Sequence, residues 1–295
     1  MGEARRRAAA DPTFGKPKRG LIISAPVEIT GDSVLINSGS PDLQELRASL
    51  LYWDKLAWPT NNSIFIGGGP DIEFLEQAKV LIRPTYRFAG SGAAALIRAQ
   101  AETLLNLDTR EPGVWALSQG ENSILVRDGI LSQANGVALE LYDAIPVPDK
   151  GVPLNEVLEF RLKRYDELQG LRLEIDGLVE KISASKDPPT ELENCRRHID
   201  EKCKAAIRVA SEWQFPVRLS NLKASFDLKP LSMLRDGLVA YAGAVALGAT
   251  SALAAALTGA TALSSLKITG DLGWQGLKAR TNPYRYVSQF HRELF

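Results

Sequence analysis

The apolar positions of this chain follow two different rhythms, and the change between them falls near its middle. In the first half the apolar runs are short. Leu21-Ile22-Ile23 predicts a buried strand and 33–36 a second. Leu43, Leu46, Leu50, Trp53 and Leu56 then recur at spacings of three and four, the repeat of an amphipathic helix. Ser40 supplies an oxygen for its free N–H groups, Pro41 fits its first position, and Pro59 lies beyond its end. A strand is predicted over 63–66, closed by Gly67-Gly68-Gly69. Helices follow over 70–81 and 91–107, and strands over 114–117, 123–127 and 137–142. That order predicts a mixed sheet with helices against it and not a cleanly alternating doubly wound fold.

The stretch 145–151, IPVPDKG, breaks both helix and strand and marks a boundary. Beyond it Leu154, Leu158, Leu162, Tyr165, Leu168, Leu171, Ile175, Leu178 and Ile182 form one long apolar stripe with charges between. After a polar break at 183–189, Thr190 and Glu193 have the spacing of a capping box. A second stripe runs through Leu192, Cys195, Ile199, Cys203, Ala206, Ala210 and Trp213. Two amphipathic helices joined by a short loop predict an antiparallel hairpin. Leu168, Leu171 and Ile175, in the middle of the first stripe, are the positions at which a partner's helix is expected to dock.

From Gly237 to Leu266 no residue is charged, and Asp236 and Lys267 close the run. As a helix it would span about 45 Å, more than a bilayer core needs. Only eight of its residues are Leu or Val, and these contribute about −2 to −5 kcal/mol to insertion, which is marginal. Small residues recur every fourth position, among them Ala244, Gly248, Ala252 and Ala256, a pattern that lets helices pack closely. A buried helix or helical hairpin is the leading expectation. Conditional insertion into a membrane through these four positions is the alternative, and a permanent span comes third. Trp274, Tyr284 and Tyr286 are read as packing residues.

The expected fold class is thus α+β and helix-rich: an N-terminal mixed sheet with helices, a long antiparallel helical hairpin, and a small-residue apolar helical segment. The expected divisions are a basic tail over 1–19, a mixed α/β domain over 20–144, the hairpin over 152–215, and the apolar segment with its tail over 216–295.

Charge and chemistry narrow the function classes. Thirty-five basic residues balance thirty-five acidic ones, so no global field draws nucleic acid and none is expected as a partner. Two cysteines eight residues apart on a helix cannot bridge, which favours a reducing, cytoplasmic setting. The basic tail has no apolar core and does not read as a secretory signal. Cys195, His198 and Cys203 point in divergent directions around a helix, so no metal site is expected, and no cofactor. Gly67-Gly68-Gly69-Pro70 has no following lysine and hydroxyl of a nucleotide loop, so a tight turn is expected there. No nucleophile elbow accompanies His198 or His291, and no catalytic residue is assigned.

Two stretches carry a family likeness. The first is SLLYWDKLAWP, 49–59, preceded by the strand RGLIIS; the second is PLNEVLEFRLKRYDELQGLRLEIDGL, 153–178. In these the chain resembles a group of uncharacterised bacterial proteins without an assigned activity. The resemblance implies a bacterial cytoplasmic origin, with relatives that look like accessory genes, some of mobile or defence loci. It transfers no catalytic residue; Trp53-Asp54 look like family-marking residues, and Trp53 also fits the core face of its helix.

Three functions are therefore set against each other. The first is a non-enzymatic accessory or assembly protein whose hairpin binds a protein partner or a second copy of the chain. The second is a conditional membrane-perturbing effector of a toxin or phage-defence locus, acting through 237–266. The third is an enzyme with an unmarked site in the N-terminal domain.

Overall fold

A computed structural model describes residues 18–30, 33–64, 66–89, 91–119, 123–126, 145–147, 149–210, 218–219, 223–225 and 282–294. The strand expected over 137–142, Trp213, Trp274, and the 237–266 segment with Ala244, Gly248, Ala252 and Ala256 lie outside the described residues. Among the described residues no helix is long and apolar enough to cross a membrane.

The first half builds one mixed sheet. Strand β1 (Gly20–Ile22) is its centre, with β4 (Lys55–Ala57) parallel on one side and β8 (Trp115–Gln119) parallel on the other. Leu21 is in register with Leu56 and with Ala116. Strand β6 (Leu81–Ile82) lies parallel outside β4. On the far side β9 (Ile124–Val126) runs parallel to β2 (Val27–Thr30), and β3 (Ser33–Ile36) closes that edge as an antiparallel hairpin with β2. Strand β12 (Lys223–Ser225) adds antiparallel to β8. All three residues of β1 are buried, as a strand covered on both faces must be.

Three helices lie along the chain between β3 and β8: α1 (Leu43–Tyr52), α2 (Gly69–Gln77) and α3 (Gly92–Arg110). Four parallel strands stand in the spatial order β6-β4-β1-β8, with β6 at the edge of the sheet. After β1 the chain visits β2 and β3 at the far edge, returns through α1 to β4 and on to β6, and then passes through α3 to β8 on the other side of β1. The centre of the sheet is therefore wound like a doubly wound fold, with its topological switch point between β1 and β8. The sequence pattern hides this because Leu56 and Leu81, both strand residues, happen to sit at helical spacing from the helices before them. Ile64 and Ile66, expected in a strand, lie in a loop.

Local chemistry sets the helix boundaries. Asp42, not Ser40, caps α1: its Oδ1 accepts from the N–H groups of Gln44 and Glu45 at 2.9 and 3.0 Å. Gly68, in the left-handed region at φ 99°, caps the start of α2. The helix ends four residues earlier than its periodicity suggests, just before Lys79 at φ 58°. Gly20 lies beside Trp115 on β8, whose ring would stand 2.4 Å from an added Cβ.

The long stripe becomes two helices, α4 (Leu154–Lys163) and α5 (Tyr165–Ser183), broken at Arg164. Helix α6 (Pro188–Ala210) returns antiparallel; Asp187 Oδ1, and not the expected Thr190, takes the first-turn N–H. The C-terminal helix α7 (Arg285–Glu293) packs against both α5 and α6. One continuous apolar cluster joins the sheet to this assembly, from Leu21 through Leu50 and Leu168 to Phe290.

Candidate functional site

Two buried polar constellations stand out, and they differ in what their polar atoms do. The first lies at the C-terminal end of α1. The last carbonyls of a helix have no partner within it, and here four successive ones receive donors from remote elements. Arg161 on α4 donates to the carbonyls of Leu50, at 2.8 Å, and Trp53. The Tyr286 hydroxyl donates to the carbonyl of Leu51 at 2.9 Å. Arg172 on α5 donates to the carbonyl of Tyr52 at 2.6 Å and to Asp54 Oδ2 at 2.9 Å. The same Asp54 oxygen accepts from the Arg19 N–H at 2.7 Å.

Two guanidinium groups thus stand at the negative end of the helix dipole, where cations are favoured. Burial lowers the pKa of Arg161 and pushes the phenol of neighbouring Tyr165 up to about 12. Burial also raises Tyr286. Trp53, Asp54, Arg161 and Arg172 all come from the two stretches that carry the family likeness, so those stretches meet at this joint. Asp54 pairs with Arg172, Arg161 is held by two carbonyls at the negative end of the helix, and the joint ties α1 to α4 and α5.

The second constellation is open to a ligand. A cavity of about 20 Å³ lies at the carboxyl ends of β1, β4 and β6, room for one or two water-sized groups at the ~10–15 Å³ that each requires. Ser24 and Ala25 after β1, Trp58 after β4, Arg83 after β6, and Gln100 on α3 border it. This is the edge at which open parallel sheets bind ligands beside their switch point.

Most polar groups around the cavity are engaged. Ser24 Oγ pairs with Ser123 Oγ at 3.1 Å and donates to the carbonyl of Ala25. Asn61 Oδ1 accepts the N–H groups of Ser63 and Ile64. Arg83 donates through both terminal nitrogens, to the carbonyls of Gly67 and Ile66 at 2.6 Å each, and its guanidinium lies 4.2 Å over the Trp58 ring. The glycine turn therefore presents carbonyls to an arginine. Gly68 is required there, since a Cβ would meet Trp58 at 2.6 Å.

Two atoms are left over. Gln100 is 5% exposed, and its Oε1 has no hydrogen-bond partner; Arg83 Nε has none either. Among the described residues no carboxylate, histidine or cysteine borders the cavity.

The residues singled out from the sequence lie elsewhere. Leu168, Leu171 and Ile175 are fully buried in the chain's own core, so the stripe expected to meet a partner is closed by this chain. The exposed apolar side chains of α4 and α5 are Leu162 and Leu173. Cys195 and Cys203 face the core while His198 is exposed, and burial pushes the Cys203 thiol up to about 12.

Both constellations had signals in the sequence. Arg161 and Arg172 fall on the same helical face as Tyr165, Leu168 and Ile175, and Gln100 falls on the face of Ile97 and Leu104. A polar side chain at an apolar position must find a partner on folding.

No curated protein and no solved structure matches the chain. A family model, described as a family of unknown function (DUF6236), matches residues 9–295, and the chain belongs to that family.

Proposed function

We propose that this protein binds a compact polar ligand at the carboxyl ends of β1, β4 and β6. The observation that carries this reading is the buried Gln100 Oε1, which borders the cavity with no protein donor. A buried acceptor left unsatisfied costs about 1–3 kcal/mol, and a ligand donor removes that cost. The described polar groups at the border are amide, hydroxyl and guanidinium groups, the kinds that orient a bound polar molecule.

The test is a thermal-shift screen of the full-length protein beside Gln100→Leu. The panel covers urea, short polyols, small hydroxy acids and inorganic phosphate. One class is expected to raise the melting temperature of the wild type and not of the variant; a ligand at a hundred times its Kd adds about 2.7 kcal/mol. If no class acts and Gln100→Leu is less stable than the wild type, the glutamine is a core residue satisfied by water and the reading fails.

A further inference from the structure

Resting on that reading, we infer that the ligand is an anion, with a carboxylate or phosphate oxygen facing Arg83 and a donor group facing Gln100. Arg83 is a part-buried cation whose two bonded partners, the carbonyls of Ile66 and Gly67, are both neutral. Its remaining contact is the face of Trp58. Among the described residues no carboxylate forms an ion pair with it; Glu76 acts on it only at longer range. Burial without a counter-ion lowers its pKa, yet a guanidinium keeps its proton in proteins. A desolvated charge of this kind is stabilised by an opposite one.

The surroundings carry the same sign. Arg87 follows β7 (Thr85–Tyr86), and Arg98 lies 4.7 Å over Phe88, whose N–H bonds Asn62 beside the cavity residue Asn61. Neither arginine has an ion pair among the described residues. Three cations therefore sit on the segments flanking a cavity that, among the described residues, no carboxylate borders. The two leftover atoms are complementary in kind: Nε of Arg83 donates and Oε1 of Gln100 accepts. A ligand with an anionic oxygen and a nearby hydroxyl or amine satisfies both.

The experiment titrates full-length protein with inorganic phosphate, with glycolate, and with neutral ribose, chloride being used to hold ionic strength constant. Wild type, Gln100→Glu and Arg83→Gln are compared by calorimetry and thermal shift. Gln100→Glu keeps the side-chain size while adding a negative charge, so it stays informative if Arg83→Gln fails to fold. Binding of phosphate or glycolate, weakened at least tenfold by Gln100→Glu, is expected, and which of the two binds identifies the anion. Ribose binding without anion binding would overturn the anion while leaving the ligand site standing. No response to any probe would overturn both, as would anion binding unchanged in Gln100→Glu.

Discussion

Arg172 and Asp54, 118 residues apart in the chain, form a 2.9 Å ion pair buried between α5 and the end of α1. The pair joins the sheet half of the molecule to its helical half, and it does so at the point where α1 must stop. Arg161 and Tyr286 complete the closure by taking the neighbouring carbonyls.

Removing one member leaves the other charge buried and unpaired. Asp54→Ala is expected to cost about 3 kcal/mol or more, measured by urea unfolding of the full-length chain. Asp54→Asn should cost less, because it keeps an acceptor for the Arg19 N–H. The double change Asp54→Asn with Arg172→Met should cost less than the sum of the two single changes. Strict additivity would mean that the pair does not couple the two halves.

Leu168 and Leu173 are both on α5, but one is fully buried and the other 37% exposed. Leu168→Lys is expected to destabilise the fold by about 4 kcal/mol, since the ammonium would be desolvated without a partner. Leu173→Lys should stay within about 0.5 kcal/mol of the wild type. Thermal unfolding of the two variants decides; equal effects would contradict the packing of the hairpin described above.

Gly20→Ala places a methyl group into the ring of Trp115 on the neighbouring strand. A cost of about 1–3 kcal/mol is expected, because neither strand can move without disturbing the central ladder. Trp115→Leu in the same chain should recover part of that loss, read as a higher urea midpoint for the double variant than for Gly20→Ala alone.

Glu293 ties α7 to the hairpin through Lys163 Nζ at 2.7 Å and through Arg164. Burial raises its pKa, but the bonds from Lys163 and Arg164 outweigh that and hold its carboxyl below the usual range. A depressed carboxylate stabilises the fold above its ordinary pKa of about 4.3, and that stability is lost as pH falls through the lowered value. Glu293→Gln should therefore cost about 1 kcal/mol at neutral pH and flatten the acid limb of the stability profile. An unchanged acid limb would show that the pair contributes nothing.

The sequence by itself determined what depends on neighbours along the chain. Helices α3, α5 and α6 follow from the three-and-four spacing of their apolar residues, because each such helix must bury one face. The α+β class, the mixed sheet and the hairpin follow in the same way. Strands of two or three residues carry too few side chains for a period: Lys55–Ala57 and Leu81–Ile82 are strands because β1 and β4 lie beside them.

Tertiary structure alone decided where α1 ends, since its terminal carbonyls are satisfied from residues 108 to 235 positions away. It decided that the stripe through Leu168, Leu171 and Ile175 is used within the chain, because only packing shows which apolar face finds a cover. The cavity too belongs to the tertiary structure. Ser24, Trp58, Arg83 and Gln100 share no local motif; parallel strands bring the first three to one edge of the sheet, and the packing of α3 brings Gln100 to them.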